Sequence, residues 1–164
     1  MDSTTWIVLG GLGVALVGLK LLQLKGESKM EKQGKLVRRE KGFNENAEIF
    51  TMGPIDQNQV TEGLKEIGSS LRITINGNTQ TQSFSITGGS WSQWSARLKL
   101  LEADSEKTVY RFHFNHWKSG SHSTTPEDPV SMNMALTAVE KMFLKIDPNT
   151  KVHTEPVSYH TEKS

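Results

Sequence analysis

The longest apolar run of the chain, Trp6–Leu24 (WIVLGGLGVALVGLKLLQL), constrains everything that follows it, because only Lys20 and Gln23 interrupt it. At about 1.5 Å per helical residue these positions reach roughly 28 Å, close to the thickness of a bilayer's hydrocarbon core. The run therefore predicts a single transmembrane helix. A cleaved secretory signal would need a basic leader, a shorter apolar stretch and a small-residue cleavage site. Met1–Thr5 instead carries Asp2 and no base, and Leu21–Met30 contains neither an A-x-A site nor a cysteine. Lys20 can extend its stem toward one interface, and Trp6 suits the other.

Charge on the flanks sets the orientation. Residues 20–41 carry 8 bases and 3 acids, whereas the N-terminal side of the run carries no base. Basic loops stay on the cytoplasmic side, so residues 1–5 are expected outside and everything beyond the helix in the cytoplasm. Lys20, Lys25 and Lys29 are the candidate membrane-surface residues, since bases close to an anionic leaflet gain about 1 kcal/mol each. Within the run, Gly11, Ala15 and Gly18 fall at i, i+4 and i+7, a stripe of small residues that lets a second helix approach closely. The expected partners are the lipid bilayer and another membrane protein, or a second copy of this chain, packed on that stripe.

Beyond the helix, residues 25–43 alternate charge and glycine with few apolar positions and read as a basic juxtamembrane linker. Residues 44–158 are long enough for one domain with one core, and residues 159–164 form a tail. The chain has no cysteine, and hence no disulfide and no thiolate metal site. Residues 42–164 carry 11 bases and 14 acids, a mildly acidic balance that disfavours a nucleic-acid partner.

Two periodicities organise the domain. Asp56 precedes a helical pattern in which Val60, Leu64 and Ile67 share a face, and Gly68 is placed to close it, predicting a helix over 57–67. From Leu71 the period becomes two: Leu71, Ile73 and Ile75, then Phe84 and Ile86, then Trp94, Ala96, Leu98 and Leu100, then Tyr110, Phe112 and Phe114. Asn76-Gly77-Asn78 and Asp104-Ser105-Glu106 read as turns between these segments, and Glu48–Met52 as a further short strand. Asp128-Pro129 then starts a second helix whose apolar stripe includes Met132, Leu136, Val139 and Phe143, stopped by Asp147-Pro148. Val152–Tyr159 could add an edge strand, where Pro156 is tolerated. The fold class expected is α+β: an N-terminal single transmembrane helix, then an antiparallel sheet of about four or five strands packed by the C-terminal amphipathic helix.

Chemistry is less clearly marked. His113 and His116, three apart on a predicted strand, should point to opposite faces, which argues against a metal site. No serine stands in a G-x-S-x-G elbow, and neither glycine cluster has the spacing of a phosphate loop. No catalytic residue, cofactor or metal is assigned, and the balance leans away from an enzyme. The candidate partner or ligand patch is Trp91, Arg111, His113 and Trp117: two tryptophans near strand ends and two polar residues on the outward face of the strand holding Tyr110, Phe112 and Phe114. The function expected is a single-pass membrane-anchored interaction or assembly module, a non-catalytic component of a membrane complex. The alternative is a membrane-tethered domain that binds a small ligand between sheet and helix, as a sensor or carrier.

Overall fold

The computed structural model describes residues 30, 36–88, 93–119 and 125–157. The apolar run over 6–24, with Gly11, Ala15, Gly18, Lys20, Lys25 and Lys29, lies outside these residues, as does Trp91. Among the described residues no helix is long and apolar enough to cross a membrane. The chain divides into two compact units, 1–38 and 39–164, and all the strands and helices described below belong to the second.

That unit is α+β. In chain order it holds a short 3-10 turn (Phe43–Glu45), β1 (Asn46–Met52), α1 (Gln57–Leu71), β2 (Thr74–Asn78), β3 (Ser83–Thr87), β4 (Trp94–Ala103), β5 (Thr108–Trp117), α2 (Pro129–Ile146) and β6 (Lys151–Pro156). The six strands form one sheet in the order β2-β3-β4-β5-β1-β6, every neighbouring pair antiparallel. Strands β2 to β5 form a meander because their connections are short. β1 instead returns to the far side of β5, and β6 closes against it.

The helices start where the sequence supplies caps. Asp56 accepts a hydrogen bond from the Asn58 N–H and Asp128 from the Ser131 N–H, with Pro129 in the first turn of α2. α1 runs past Gly68 to Leu71. Arg72, in the left-handed region at φ 55°, ends it, and the Ile73 N–H reaches back to the Gly68 carbonyl. Leu71 therefore belongs to the helix rather than to the strand pattern that its spacing suggested.

The Asn-Gly pair is also placed differently. Asn76, Gly77 and Asn78 lie inside β2, paired with Ser85, Phe84 and Ser83, and the chain turns after them. The Asn78 side chain accepts hydrogen bonds from the N–H groups of Gln80 and Thr81. Gly77 is needed here for space, since a Cβ would stand 2.4 Å from the Phe84 ring.

Both helices lie against the face that carries Phe50, Ile86, Trp94, Leu98, Tyr110, Phe112 and Phe114, all 4 % exposed or less. Phe143 of α2 meets the rings of Phe50 and Tyr110 at 4.7 and 5.1 Å. Tyr110 donates its hydroxyl to Gln82 Oε1 at 2.9 Å, so burial raises the phenol's pKa without stranding it.

The basic segment joins this layer earlier than its composition suggests. Phe43 sets its ring edge-on to Phe114, centroids 5.9 Å apart. Arg39 spans a seam between β1 and α2. It pairs with Glu48 through one terminal nitrogen and with Glu140 at 2.6 Å through the other, while its Nε donates to Asn133 Oδ1 at 3.0 Å. Burial raises the Glu48 carboxyl above its ordinary range; Arg39 opposes that shift and Glu140 adds to it.

Candidate functional site

With the helices on one face, the opposite face of the sheet carries the remaining strand positions, and the register fixes which of them meet. On β4 the core residues Ala96 and Leu98 alternate with Arg97 and Lys99. On β5 Phe112 and Phe114 alternate with Arg111 and His113. Arg97 stands directly opposite His113, and Lys99 directly opposite Arg111. Three permanent cations and an imidazole thus form a two-by-two block at the centre of the outer face.

Neighbours across the strands are small or apolar, and Glu102 follows along β4, opposite Val109. Ser85 and Ser83 of β3 flank Arg97 and Lys99, and Asn76 and Asn78 of β2 lie one strand beyond. On the other side, Ala47 lies opposite His113 and Ile49 opposite Arg111, both buried, so an apolar floor borders the block. The first acid along this row is Glu155 of β6, across Ala47, and it faces His153 at 3.0 Å on its own strand.

Like charges in directly opposed positions work against the sheet, and the block shows the effect. The His113 imidazole is held below its usual pKa, first by burial and then by the cations Arg111 and Arg97. It is therefore neutral at pH 7. Arg111 and His113 are half-buried, whereas Arg97 and Lys99 are exposed. Among the described residues Arg97, Lys99 and Arg111 form no ion pair. Two nitrogens of the block, Arg111 Nε and His113 Nδ1, are shielded from solvent and meet no hydrogen-bond acceptor there.

Of the four residues expected to form a patch, the structure brings together Arg111 and His113. Trp117 lies elsewhere. β5 carries an extra residue at Asn115, opposite the Ser95/Ala96 step of β4, and this bulge sets Trp117 opposite Trp94, packed at the edge of the core on the helix side. The same bulge places His116 opposite Ser95, on the face shared with His113, where simple alternation had separated the two. Among the described residues no three His, Asp or Glu side chains are grouped to hold a metal ion. Arg97 and Lys99 complete the block but escaped the reading by residue type. Their signal was their alternation with Ala96 and Leu98, which becomes a cluster only through the β4–β5 register.

Among the described residues, two recesses lie on the helix side. A groove of about 520 Å³ opens between α1 and α2 over Gly63, Ile67, Ala138 and Met142, with Lys145 and Glu66 3.7 Å apart at its rim. Where the sheet meets the start of α2, between Trp94, Trp117, Asp128 and Met132, the free volume is about 20 Å³. A space of that size holds one water.

The chain matches no known family model, and no curated protein resembles it in sequence.

Proposed function

We propose that this chain is a single-pass membrane-anchored interaction or assembly module, a non-catalytic component of a membrane complex. Residues 6–24 would span the bilayer with residues 1–5 outside, and the α+β unit would stand on the cytoplasmic side. The observation that carries the reading is the contrast between the two faces of the sheet. One is filled by aromatic and aliphatic side chains from both helices. The other presents a compact group of cations, Arg97 and Lys99 exposed and Arg111 half-buried, that form no ion pair among the described residues. A surface built in that way is suited to contact with another molecule. The small-ligand alternative asks for room between sheet and helix; among the described residues, the recess between Trp94, Trp117, Asp128 and Met132 has about 20 Å³. The length of the apolar run and the lysines on its C-terminal flank support the anchor.

The test is purification of the full chain from membranes in mild detergent, with co-purifying proteins identified by mass spectrometry and protease accessibility measured on spheroplasts. Recovery of a stoichiometric membrane partner, and digestion of the unit only after permeabilisation, are the expected results. A chain extracted without detergent, or one recovered alone, would overturn the reading.

A further inference from the structure

We infer that the block Arg97, Lys99, Arg111 and His113 is the docking site for an acidic protein segment lying extended across the outer face of β4 and β5. The inference rests on the interaction-module reading and names the chemistry of the partner. Its first support is the grouping of unpaired charge. Arg97, Lys99 and Arg111 have no carboxylate within 4.0 Å among the described residues, as Arg72, Lys141 and Lys151 have none, but the first three stand at adjacent positions of neighbouring strands.

Geometry supplies the second support. Arg97 and Lys99 are two residues apart on β4, as Arg111 and His113 are on β5, so each pair repeats at roughly 6.6–6.8 Å along its strand. An extended segment bearing Glu or Asp at alternate positions has the same repeat and would set successive carboxylates over Arg97 and Lys99. Arg97, exposed on β4, offers a guanidinium fork that matches a carboxylate with two parallel hydrogen bonds. The flanking Ser83, Ser85, Asn76 and Asn78 leave room for a backbone and offer it hydrogen-bonding groups.

A flat anionic leaflet would meet the whole face. Three cations of this face stand together at its centre and Lys151 alone at the β6 edge, the β2 and β3 positions beside them are uncharged, and Glu102 and Glu155 are acids of the same face. The distribution fits a narrow acidic strip better than a plane of headgroups.

The experiment uses the full chain in nanodiscs of zwitterionic lipid and a fluorescein-labelled octapeptide of alternating Glu and Ser, with a Gln-Ser peptide as control, read by anisotropy. Binding of the Glu peptide alone is expected, weakened tenfold or more by Arg97→Glu with Lys99→Glu, and falling steeply between 50 and about 200 mM salt, as charge-driven contacts do. Circular dichroism melts check that this variant keeps its fold; if it does not, Arg97→Gln with Lys99→Gln replaces it, with a loss of at least threefold expected. Equal binding of the two peptides, or unchanged binding by a folded variant, overturns the inference. A lipid contact is tested separately. Because the chain has no cysteine, Asn76→Cys can carry a single dye. Quenching of that dye by nitroxide headgroups in phosphatidylserine nanodiscs, undiminished by the Glu peptide, would assign the face to the membrane and overturn the inference. Failure of peptide binding while a partner still co-purifies removes the docking site and leaves the assembly role standing; loss of the partner as well removes both.

Discussion

Trp94 and Trp117 face each other across β4 and β5, yet they carry different loads. Trp94 is 2 % exposed and donates its indole N–H to Ser131 Oγ at 3.1 Å, tying the start of β4 to the first turn of α2. Truncation to alanine would remove a large buried ring and that bond, at a cost of about 3–5 kcal/mol, comparable to the whole stability of a small domain. Trp117 is half-buried at the core's edge, and the same change there should cost about 2 kcal/mol, half the cost of full burial. Thermal melts of the two variants should show Trp94→Ala unfolded or poorly accumulated and Trp117→Ala folded with a lowered midpoint; equal midpoints would contradict this ordering. Alternation made Trp94 legible in the sequence, because it is in phase with Ala96 and Leu98. The face of Trp117 was not legible, because Asn115 adds a residue that reverses the phase at the end of β5, and side-chain chemistry does not announce a bulge. Gln82 was missed for a related reason. A buried glutamine at φ 48° makes sense only once the Tyr110 hydroxyl is known to end beside it.

At the scale of elements, the seam between β1 and α2 is held by Arg39 from the segment preceding the 3-10 turn. The side chains of Arg39 and Glu48 are 13 % and 9 % exposed, and Glu140 is close behind at 22 %. Replacing Arg39 with alanine would leave two carboxylates facing each other with no cation between them. The expected loss is about 3–5 kcal/mol, the usual result of removing one partner from a buried ionic group. Arg39→Lys should restore only part of it, since an ammonium cannot reach Glu48, Glu140 and Asn133 together. Urea unfolding of wild type, Arg39→Ala and Arg39→Lys measures the series; a wild-type midpoint for Arg39→Ala would show the seam to be dispensable. Both helices and the four-strand meander were legible because burial imposes periods of 3.6 and 2 on the residues. The seam was not legible. Arg39 sits among lysines and glutamates of a stretch that looks solvated throughout, and only its contacts separate it from Arg38. The Asn-Gly pair misled in the opposite sense, a strong turn signal spent on making room for the Phe84 ring.

For the molecule as a whole, strand order matters more than strand count. β1 precedes every other strand in the chain, yet its two neighbours are β5 and β6, the last two strands to be made. While the protein is being synthesised, β1 emerges with no partner on either edge. The meander can assemble first, but Phe50 and Met52 stay uncovered until β5 is present, and β1 keeps an open edge until Lys151–Pro156 has left the ribosome. Pairing between residues so distant in sequence is slow, and an unpaired apolar strand is a template for association with other chains. A chain truncated after Asp147 should therefore aggregate or be degraded although both helices and five of the six strands are intact, whereas the full chain should gain protease resistance only once β6 has emerged. Pulse-labelled nascent chains digested at successive lengths would reveal this; early resistance, before β6 emerges, would show that β1 finds another partner in the meantime. A unit built in this order spends its synthesis with its first strand unprotected, and it would depend on a chaperone until β6 arrives.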